Sequence, residues 1–238
     1  MLKDFFETWK NVINAISLQS EWREVVFYSE GPWLTSHFNP LIKELCDVRS
    51  KKITLLTSST EDKINLSKKN NLKTIYIGSE SARTYLFRKF SAKLMIMSTP
   101  NLQNMQLKKE KETKYYYLHH SPCSTHMIYE DNAFDHFEGM FCIGPYQKNE
   151  VLEREKKNPI YKKNLLESGY PNFDNLKNYF ANESIKGQIL IAPTWGENSI
   201  TNLCLHSLVS KLIDLKYNVI LRPHNRSYIC LLYTSPSP

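Results

Sequence analysis

Short runs of apolar residues alternate with segments of helical periodicity along most of the chain. The apolar runs predict strands over residues 25–28, 53–56, 74–77, 94–97, 115–118 and 140–143. Helical spacing predicts helices over residues 40–45, 61–66, 81–90 and 147–156. Strands that alternate with helices are typical of a parallel sheet with crossover helices, so we expect an α/β fold.

Residues 1–23 form a separate N-terminal element whose apolar side chains recur at helical spacing. These side chains are Leu2, Phe5, Phe6, Trp9, Val12, Ile13 and Ile16. We expect an amphipathic helix that packs on the body of the protein. The alternative is a helix that lies on a membrane surface, and it is less favoured because only Lys3 and Lys10 give the polar face positive charge.

A polar stretch before Gln188 separates two parts of the pattern. We predict one α/β domain over residues 24–178 and a second, partial one over residues 188–228. The second part offers a strand from Gln188, a helix over residues 200–216 and a strand over residues 218–221, too little to bury a domain core. The Ser-Pro repeats that end the chain indicate that residues 229–238 are a non-native tail, so we expect a C-terminally truncated fragment.

Composition narrows the class of protein without choosing its partner. The 238 residues, 41% of them hydrophobic, are enough to bury one sizeable core or two smaller ones. The five cysteines form no CxxC pair, and neither a secretory signal nor an apolar run of membrane-spanning length is present, which favours a cytoplasmic protein. The net charge of +7 fits nucleic acid, anionic lipid or a phosphate-rich substrate equally well.

The densest group of chemically active side chains directly follows the strand predicted over residues 115–118. His119, His120 and His126 lie there, at the kind of strand end where parallel sheets bind ligands. Histidine suits proton transfer near neutral pH. Zinc binding is disfavoured because no cysteine or glutamate stands at a typical ligand spacing, whereas hydrogen-bonded loop histidines remain an alternative.

Two further strand ends carry side chains suited to phosphate. Arg222 and His224 follow the strand over residues 218–221, and arginine offers a planar fork of donors for phosphate oxygens. Thr194 and Trp195 follow the strand that begins at Gln188. Each short motif alone is weak evidence.

The order of these motifs resembles the CDP-glycerol glycerophosphotransferase family, whose members build the glycerol-phosphate chains of teichoic acids and related polymers. The family shows a His-Gly-Thr-Pro-like motif, a phenylalanine-rich stretch, Gly-Tyr-Pro-Arg-x-Asp-x-Leu, Ala-Pro-Thr-Trp and Arg-Pro-His-Pro. The counterparts here are residues 119–122, 134–144, 169–176, 192–195 and 222–225, and the likeness covers residues 24–226. A later Asp-Tyr-Ser-Ser-like motif has no counterpart, in agreement with truncation.

Four positions depart from the family pattern. His120 replaces a glycine, Asn172 an arginine, Gly196 a common arginine and Asn225 the second proline. The alcohol or the acceptor can therefore differ from that of the best-known members.

The resemblance implies a GT-B-like fold of two Rossmann-like domains, with the acceptor on the first and the CDP-alcohol donor on the second. It implies that His119 is the general base, that Arg222 and His224 stabilise phosphate charge, and that Thr194 and Trp195 help bind the donor. The residues that complete the family motifs are His120, Ser121, Pro122, Gly169, Tyr170, Pro171 and Asp174.

The resemblance also sets the expected partners. CDP-glycerol or a similar CDP-alcohol is a substrate, and no cofactor and no catalytic metal are expected. The acceptor is a polymer or its lipid-linked precursor, reached from the inner face of the plasma membrane by a peripheral enzyme. Two alternatives stay open: a nucleotide-sugar glycosyltransferase or sugar epimerase on the same fold, and a non-enzymatic nucleic-acid-binding module, which lacks a recognisable binding motif.

Overall fold

The computed structural model describes residues 2–62, 71–103, 107–157, 162–176, 187–224 and 227. Most of the helix predicted over residues 61–66 and the tail predicted over residues 229–238 lie outside these ranges. The chain divides into two compact units, Met1–Lys177 and Asn178–Pro238.

The described part of the first unit contains a seven-stranded parallel sheet. Its strands are β1 (Val25–Ser29), β2 (Ile53–Thr57), β3 (Leu72–Tyr76), β4 (Leu94–Met97), β5 (Lys114–Leu118), β6 (Gly139–Cys142) and β7 (Asn164–Glu167). They are ordered β3-β2-β1-β4-β5-β6-β7, and every neighbouring pair is parallel. The strand order reverses between β1 and β4, and such a switch point opens a crevice at the carboxyl ends of the strands.

Helices precede, connect and follow these strands. They are α1 (Leu2–Ile16), α2 (Pro32–Lys43), α3 (Glu80–Lys89), α4 (Thr125–Ile128), α5 (Pro145–Lys157) and α6 (Pro171–Leu176), with a 3₁₀ turn at Ser20–Arg23 and a π-helical turn at Glu44–Val48.

The core lies on both faces of the sheet. Alternate residues of β1 enter different clusters, Tyr28 with Leu86 of α3 on one face and Phe27 with Phe38 of α2 on the other. Because side chains alternate along a strand, a strand buried on both faces must be apolar throughout. This requirement explains the continuous apolar runs of the sequence and makes the first unit a Rossmann-like α/β layer structure.

Helix α1 packs on the first unit through one part of its surface only. Val12 and Ala15 are fully buried in the cluster that contains α3, as the packing interpretation predicts. Phe5, Phe6 and Ile13 stay more than half exposed. Within the described residues, no helix is long and apolar enough to cross a membrane.

Several elements differ from the sequence-based expectation. The helix predicted from Pro40 begins at Pro32 instead, and Pro40 lies inside α2. Proline is favoured at the start of a helix, and here the first of two prolines takes that place. Residues 168–170 lead directly into the short helix α6, and the residues before them form the edge strand β7; neither element was predicted.

The described part of the second unit contains β8 (Gln188–Ile191), α7 (Ile200–Leu203), α8 (Leu205–Asp214) and β9 (Asn218–Leu221). The two strands pair in parallel. The single helix predicted over residues 200–216 is wrong, because Cys204 leaves the helical conformation with φ −154° and ψ 10°. The apolar period continues across this break and therefore does not reveal it.

Candidate active site

His119 lies directly after β5 and is enclosed by aromatic rings. Its side chain is 3% exposed. Its ring centroid lies 4.9 Å from that of Tyr117, 5.8 Å from Phe134 and 6.4 Å from Tyr129. Tyr117 and Tyr129 also share a hydrogen bond of 3.0 Å between their hydroxyls. His119, the predicted base, is therefore a buried side chain at the carboxyl end of β5 and not a side chain of an open loop.

The surroundings of His119 keep its imidazole neutral. Burial, helped by the neighbouring His120, lowers the pKa of His119 to about 4, against the opposing charge of Glu150. Its Nε2 is buried and has no hydrogen-bond partner among the described residues. An unpaired nitrogen in such a position is costly and is therefore a candidate for function.

His120 points into a different, more polar group. Its ring lies 6.1 Å from that of His37 on α2, and the Tyr170 hydroxyl donates a 3.1 Å hydrogen bond to its backbone carbonyl. Burial lowers the pKa of both His120 and His37, and a hydrogen bond with the Ser98 backbone partly offsets this shift at His120. Both rings are thus neutral near pH 7.

Gly169 makes the turn that brings Tyr170 to this group. Its φ of 66° lies in the left-handed region, which glycine adopts without a steric penalty. The ring of Tyr170 then packs 4.8 Å from Phe173 and 5.8 Å from His37. Pro171 begins α6, on which Asp174 is exposed.

The segment after the two histidines is fixed by Gln147 of α5, which is fully buried. Its side-chain amide donates to the carbonyl of Cys123 at 3.0 Å and to that of Ser121 at 3.5 Å, and its carbonyl accepts from the Ile143 backbone at 2.9 Å. Pro122 lies exposed between the two anchored carbonyls. Sequence reasoning missed Gln147, because a lone glutamine in a helical pattern looks like a solvent-facing residue.

Helix α4, which was not predicted, continues from this segment and is held at both ends by α5. Glu150 accepts hydrogen bonds from the Thr125 backbone at 2.6 Å and hydroxyl at 2.7 Å. Burial alone would raise the pKa of Glu150, but these hydrogen bonds and one from Ser124 lower it overall. Arg154 donates to the carbonyls of Thr125 and Tyr129.

A partly buried ion pair marks the carboxyl end of β1. Arg83 of α3 donates to Glu30 at 3.2 Å and to the Tyr28 hydroxyl at 3.2 Å. Burial raises the pKa of the Glu30 carboxyl, against the opposing charge of Arg83. The pairing could not be read from the sequence, because the two residues are 53 positions apart.

In the second unit, the structure brings the two predicted donor motifs together. The Arg222 backbone donates to the Ile191 carbonyl at 2.9 Å, which continues the pairing of β8 and β9. The Trp195 and His224 rings lie 6.4 Å apart as a result. Thr194, Trp195, Arg222 and His224 are all exposed.

Gly196 explains one departure from the family pattern. Its φ of 114° is a conformation that residues with a side chain rarely adopt. Its carbonyl accepts from the Ser199 backbone at 3.1 Å and from the Asn202 side chain at 3.1 Å, so the turn is tied to α7. An arginine would not fit this backbone.

Among the residues that the structure describes, no three histidine, cysteine or acidic side chains converge as metal ligands would.

A Rossmann-like unit with neutral histidines at its carboxyl edge, and a second α/β unit that presents arginine and histidine, place the fold in the GT-B-like class. The sequence profile of the family described as CDP-Glycerol:Poly(glycerophosphate) glycerophosphotransferase matches residues 13–229. The chain therefore belongs to the CDP-glycerol glycerophosphotransferase family.

Solved structures of the wall teichoic acid polymerase TagF share the fold. One is 14% identical over 99% of this chain and 67% of its own length, with a TM-score of 0.51. An alanine variant of a histidine gives 13% identity over 94% of this chain and 66% of its own length, also at 0.51. An asparagine variant soaked with CDPG gives 12% identity, coverage of 98% and 67%, and 0.53.

The chain thus spans about two thirds of the length of these solved chains. Among curated proteins, none matches the sequence significantly.

Proposed function

We propose that this chain belongs to an enzyme that transfers glycerol phosphate, or a related alcohol phosphate, from a CDP-alcohol to a hydroxyl of a surface polymer or its lipid-linked precursor. The observation that carries the proposal is the pair of neutral histidines at the carboxyl edge of a Rossmann-like sheet, in a chain of this family. CDP-glycerol is the donor that the family description names.

The reaction exchanges one phosphorus–oxygen bond for another. The acceptor oxygen attacks the phosphorus that carries the glycerol, and the pyrophosphate bond to the cytidylyl group breaks. CMP leaves with the bridging oxygen and its electron pair, and the acceptor hydroxyl loses its proton. Since phosphoryl transfer requires little covalent help from protein, positioning and charge stabilisation supply most of the rate.

The proton acceptor belongs to the His119–His120 pair. The family motif assigns the role to His119, whose neutral ring has an unpaired Nε2. That nitrogen is enclosed by Tyr129 and its neighbours, so contact with a substrate oxygen requires the segment after Pro122 to shift. His120 faces the polar group and is the second candidate.

The donor phosphates bind in the second unit. Arg222 supplies a charged fork, and His224 adds a further donor. Trp195 offers an exposed ring beside His224, and Thr194 an exposed hydroxyl. These assignments rest on the family motifs and on the proximity of the two strand ends.

We place the enzyme in the cytoplasm, peripheral to the inner face of the plasma membrane. The four cysteines within the described ranges are free, which fits a reducing compartment. The exposed Phe5, Phe6 and Ile13 of α1 supply an apolar surface for a peripheral contact.

The donor preference tests this function. The complete gene product is incubated with a glycerol-phosphate oligomer and either radiolabelled CDP-glycerol or radiolabelled UDP-sugars. We expect label in the oligomer only from the CDP-alcohol. Label from a UDP-sugar alone would overturn the proposal in favour of a glycosyltransferase, and a salt-sensitive mobility shift with DNA and no transfer would favour nucleic-acid binding.

A further inference from the structure

His37 stands out because it meets the active-site loop although it belongs to a distant part of the sequence. It lies on α2, which follows β1, whereas His120 follows β5 and Tyr170 and Asn172 follow β7. These three strands are not neighbours in the sheet. The four side chains therefore meet at the carboxyl edge of the sheet. There they join three segments that are far apart in the sequence.

The hydrogen bonds define the state of the His37 ring. The Asn172 side chain lies 2.7 Å from Nδ1 of His37, and the Tyr170 hydroxyl lies 3.4 Å from the same atom. Tyr170 has a single proton, which it donates to the His120 carbonyl at 3.1 Å. Nδ1 is thus best satisfied as the acceptor of the Asn172 amide, which leaves the proton of the neutral ring on Nε2.

We propose that His37 is a positioning residue of the acceptor side: by accepting from the Asn172 amide it fixes the segment that carries Tyr170, whose hydroxyl holds the His120 backbone, and so sets the place of the histidine pair. The inference rests on the proposed transfer reaction. It also accounts for Asn172, which stands where the family has an arginine. The amide fits Nδ1 of His37 as a neutral donor, whereas a guanidinium would bring a charge beside two half-buried imidazoles.

Two conservative substitutions at position 37 distinguish the roles of the two ring nitrogens of His37. Asparagine at position 37 keeps an acceptor near the place of Nδ1, whereas glutamine reaches the place of Nε2. If His37 acts through Asn172, His37→Asn retains most of the turnover and His37→Gln and His37→Ala do not. If Nε2 instead touches substrate, the order of the two amide variants is reversed and the positioning role is overturned.

The experiment measures kcat and the donor KM of the complete gene product for His37→Ala, His37→Asn, His37→Gln and Tyr170→Phe. We expect kcat to fall about tenfold in His37→Ala, His37→Gln and Tyr170→Phe, as for the loss of one hydrogen bond. The donor KM should stay within about twofold, because the substitutions leave the second unit unchanged. Ser36→Ala, on an exposed position of α2, is the matched control and should match the wild type.

The outcomes distinguish this inference from the function on which it rests. A wild-type protein without transfer activity contradicts the proposed function. A wild type that transfers, with an unchanged kcat in His37→Ala, contradicts only the positioning role. Thermal unfolding of each variant accompanies the kinetics: should His37→Ala fail to fold, Tyr170→Phe and the two amide variants still decide the question.

Discussion

At the scale of single residues, the candidate site depends on imidazoles that burial keeps neutral. His119, His120 and His37 each have a lowered pKa, and burial is the main cause in all three. The neutral imidazole is the form that can accept a proton from a substrate hydroxyl. The sequence identified His119 and His120 by their place after a strand, whereas His37 was missed because it sits within a helix without any local motif.

The histidine pair is tested by alanine substitution in the complete gene product. We expect His119→Ala to lower turnover by about 10² to 10⁴ while donor binding stays nearly unchanged, as for the loss of a general base. Single-turnover kinetics and equilibrium binding of CDP-glycerol measure the two effects. A severe loss in His120→Ala with a mild one in His119→Ala would move the role to His120, and two mild effects would refute proton transfer by the pair.

The lowered pKa of His119 predicts a loss of stability in acid. On acidification the unfolded chain binds a proton near the ordinary value of 6.5, whereas the folded protein resists protonation until about 4. The stabilisation is therefore complete above about pH 7 and decreases as the pH falls toward 4, by about 3 kcal/mol for this one group. Urea unfolding at several pH values measures the slope.

His119→Gln should flatten this pH dependence, because glutamine does not titrate. His206→Gln, at an exposed position of α8, serves as the control. An equally steep acid loss in His119→Gln would show that the imidazole is not the group that causes it.

At the scale of elements, helix α5 holds the active-site segment in place. Gln147 and Glu150, one turn apart, bind the segment after His120 and the start of α4. The packed helix therefore fixes the conformation of the neighbouring loop through these hydrogen bonds. Gln147 is buried and polar at once, and the sequence pattern does not distinguish such a side chain from an exposed one.

The Gln147→Met substitution should remove the hydrogen bonds between this loop and α5 while the volume of the side chain stays nearly constant. It leaves the Cys123 carbonyl and the Ile143 N–H without their buried partner, so we expect a loss of about 1–3 kcal/mol in the free energy of unfolding. Turnover should fall as well. Asn149→Met, at an exposed position of the same helix, is the control; equal effects of both variants would contradict the anchoring role.

The turn after β8 makes a second prediction at this scale. Gly196→Arg restores the residue common in the family but places a side chain at φ 114°. We expect the strain to destabilise the turn by about 1 kcal/mol or more and to weaken donor binding through Trp195. Calorimetric titration with CDP-glycerol measures the affinity, with Asn198→Arg as the control; tighter binding in Gly196→Arg would refute the constraint.

The sequence predicted the buried elements better than their boundaries. Continuous apolar runs located β1, β2 and β4, because these strands are covered on both faces. The edge strand β7 is only partly buried and has no such run, so it was not predicted as a strand. The start of α2 was placed at the wrong proline, since the local pattern does not show which of the two stands at the first turn.

At the scale of the whole molecule, the two compact units differ in how well they bury apolar side chains. The first encloses two clusters around its sheet. In the second, Leu190, Leu203, Ile213 and Leu215 are all more than half exposed. The two strands and two helices that the structure describes there are too few to cover such side chains.

This difference predicts unequal independence of the two parts. A protein of residues 1–177 should unfold cooperatively, whereas residues 187–238 alone should not. Far-UV circular dichroism during thermal unfolding decides the first point, and the dispersion of amide resonances decides the second. A second part that unfolds cooperatively by itself would contradict the account.

The most direct test of the central claim is the identity of the nucleotide released during transfer. The complete gene product is incubated with CDP-glycerol and a glycerol-phosphate oligomer, and the nucleotides are separated by chromatography while the oligomer is weighed by mass spectrometry. Transfer of the alcohol phosphate predicts CMP, one equivalent for each glycerol-phosphate unit added. Release of CDP with only glycerol added to the oligomer, or CMP release with no growth of the oligomer, would contradict the account.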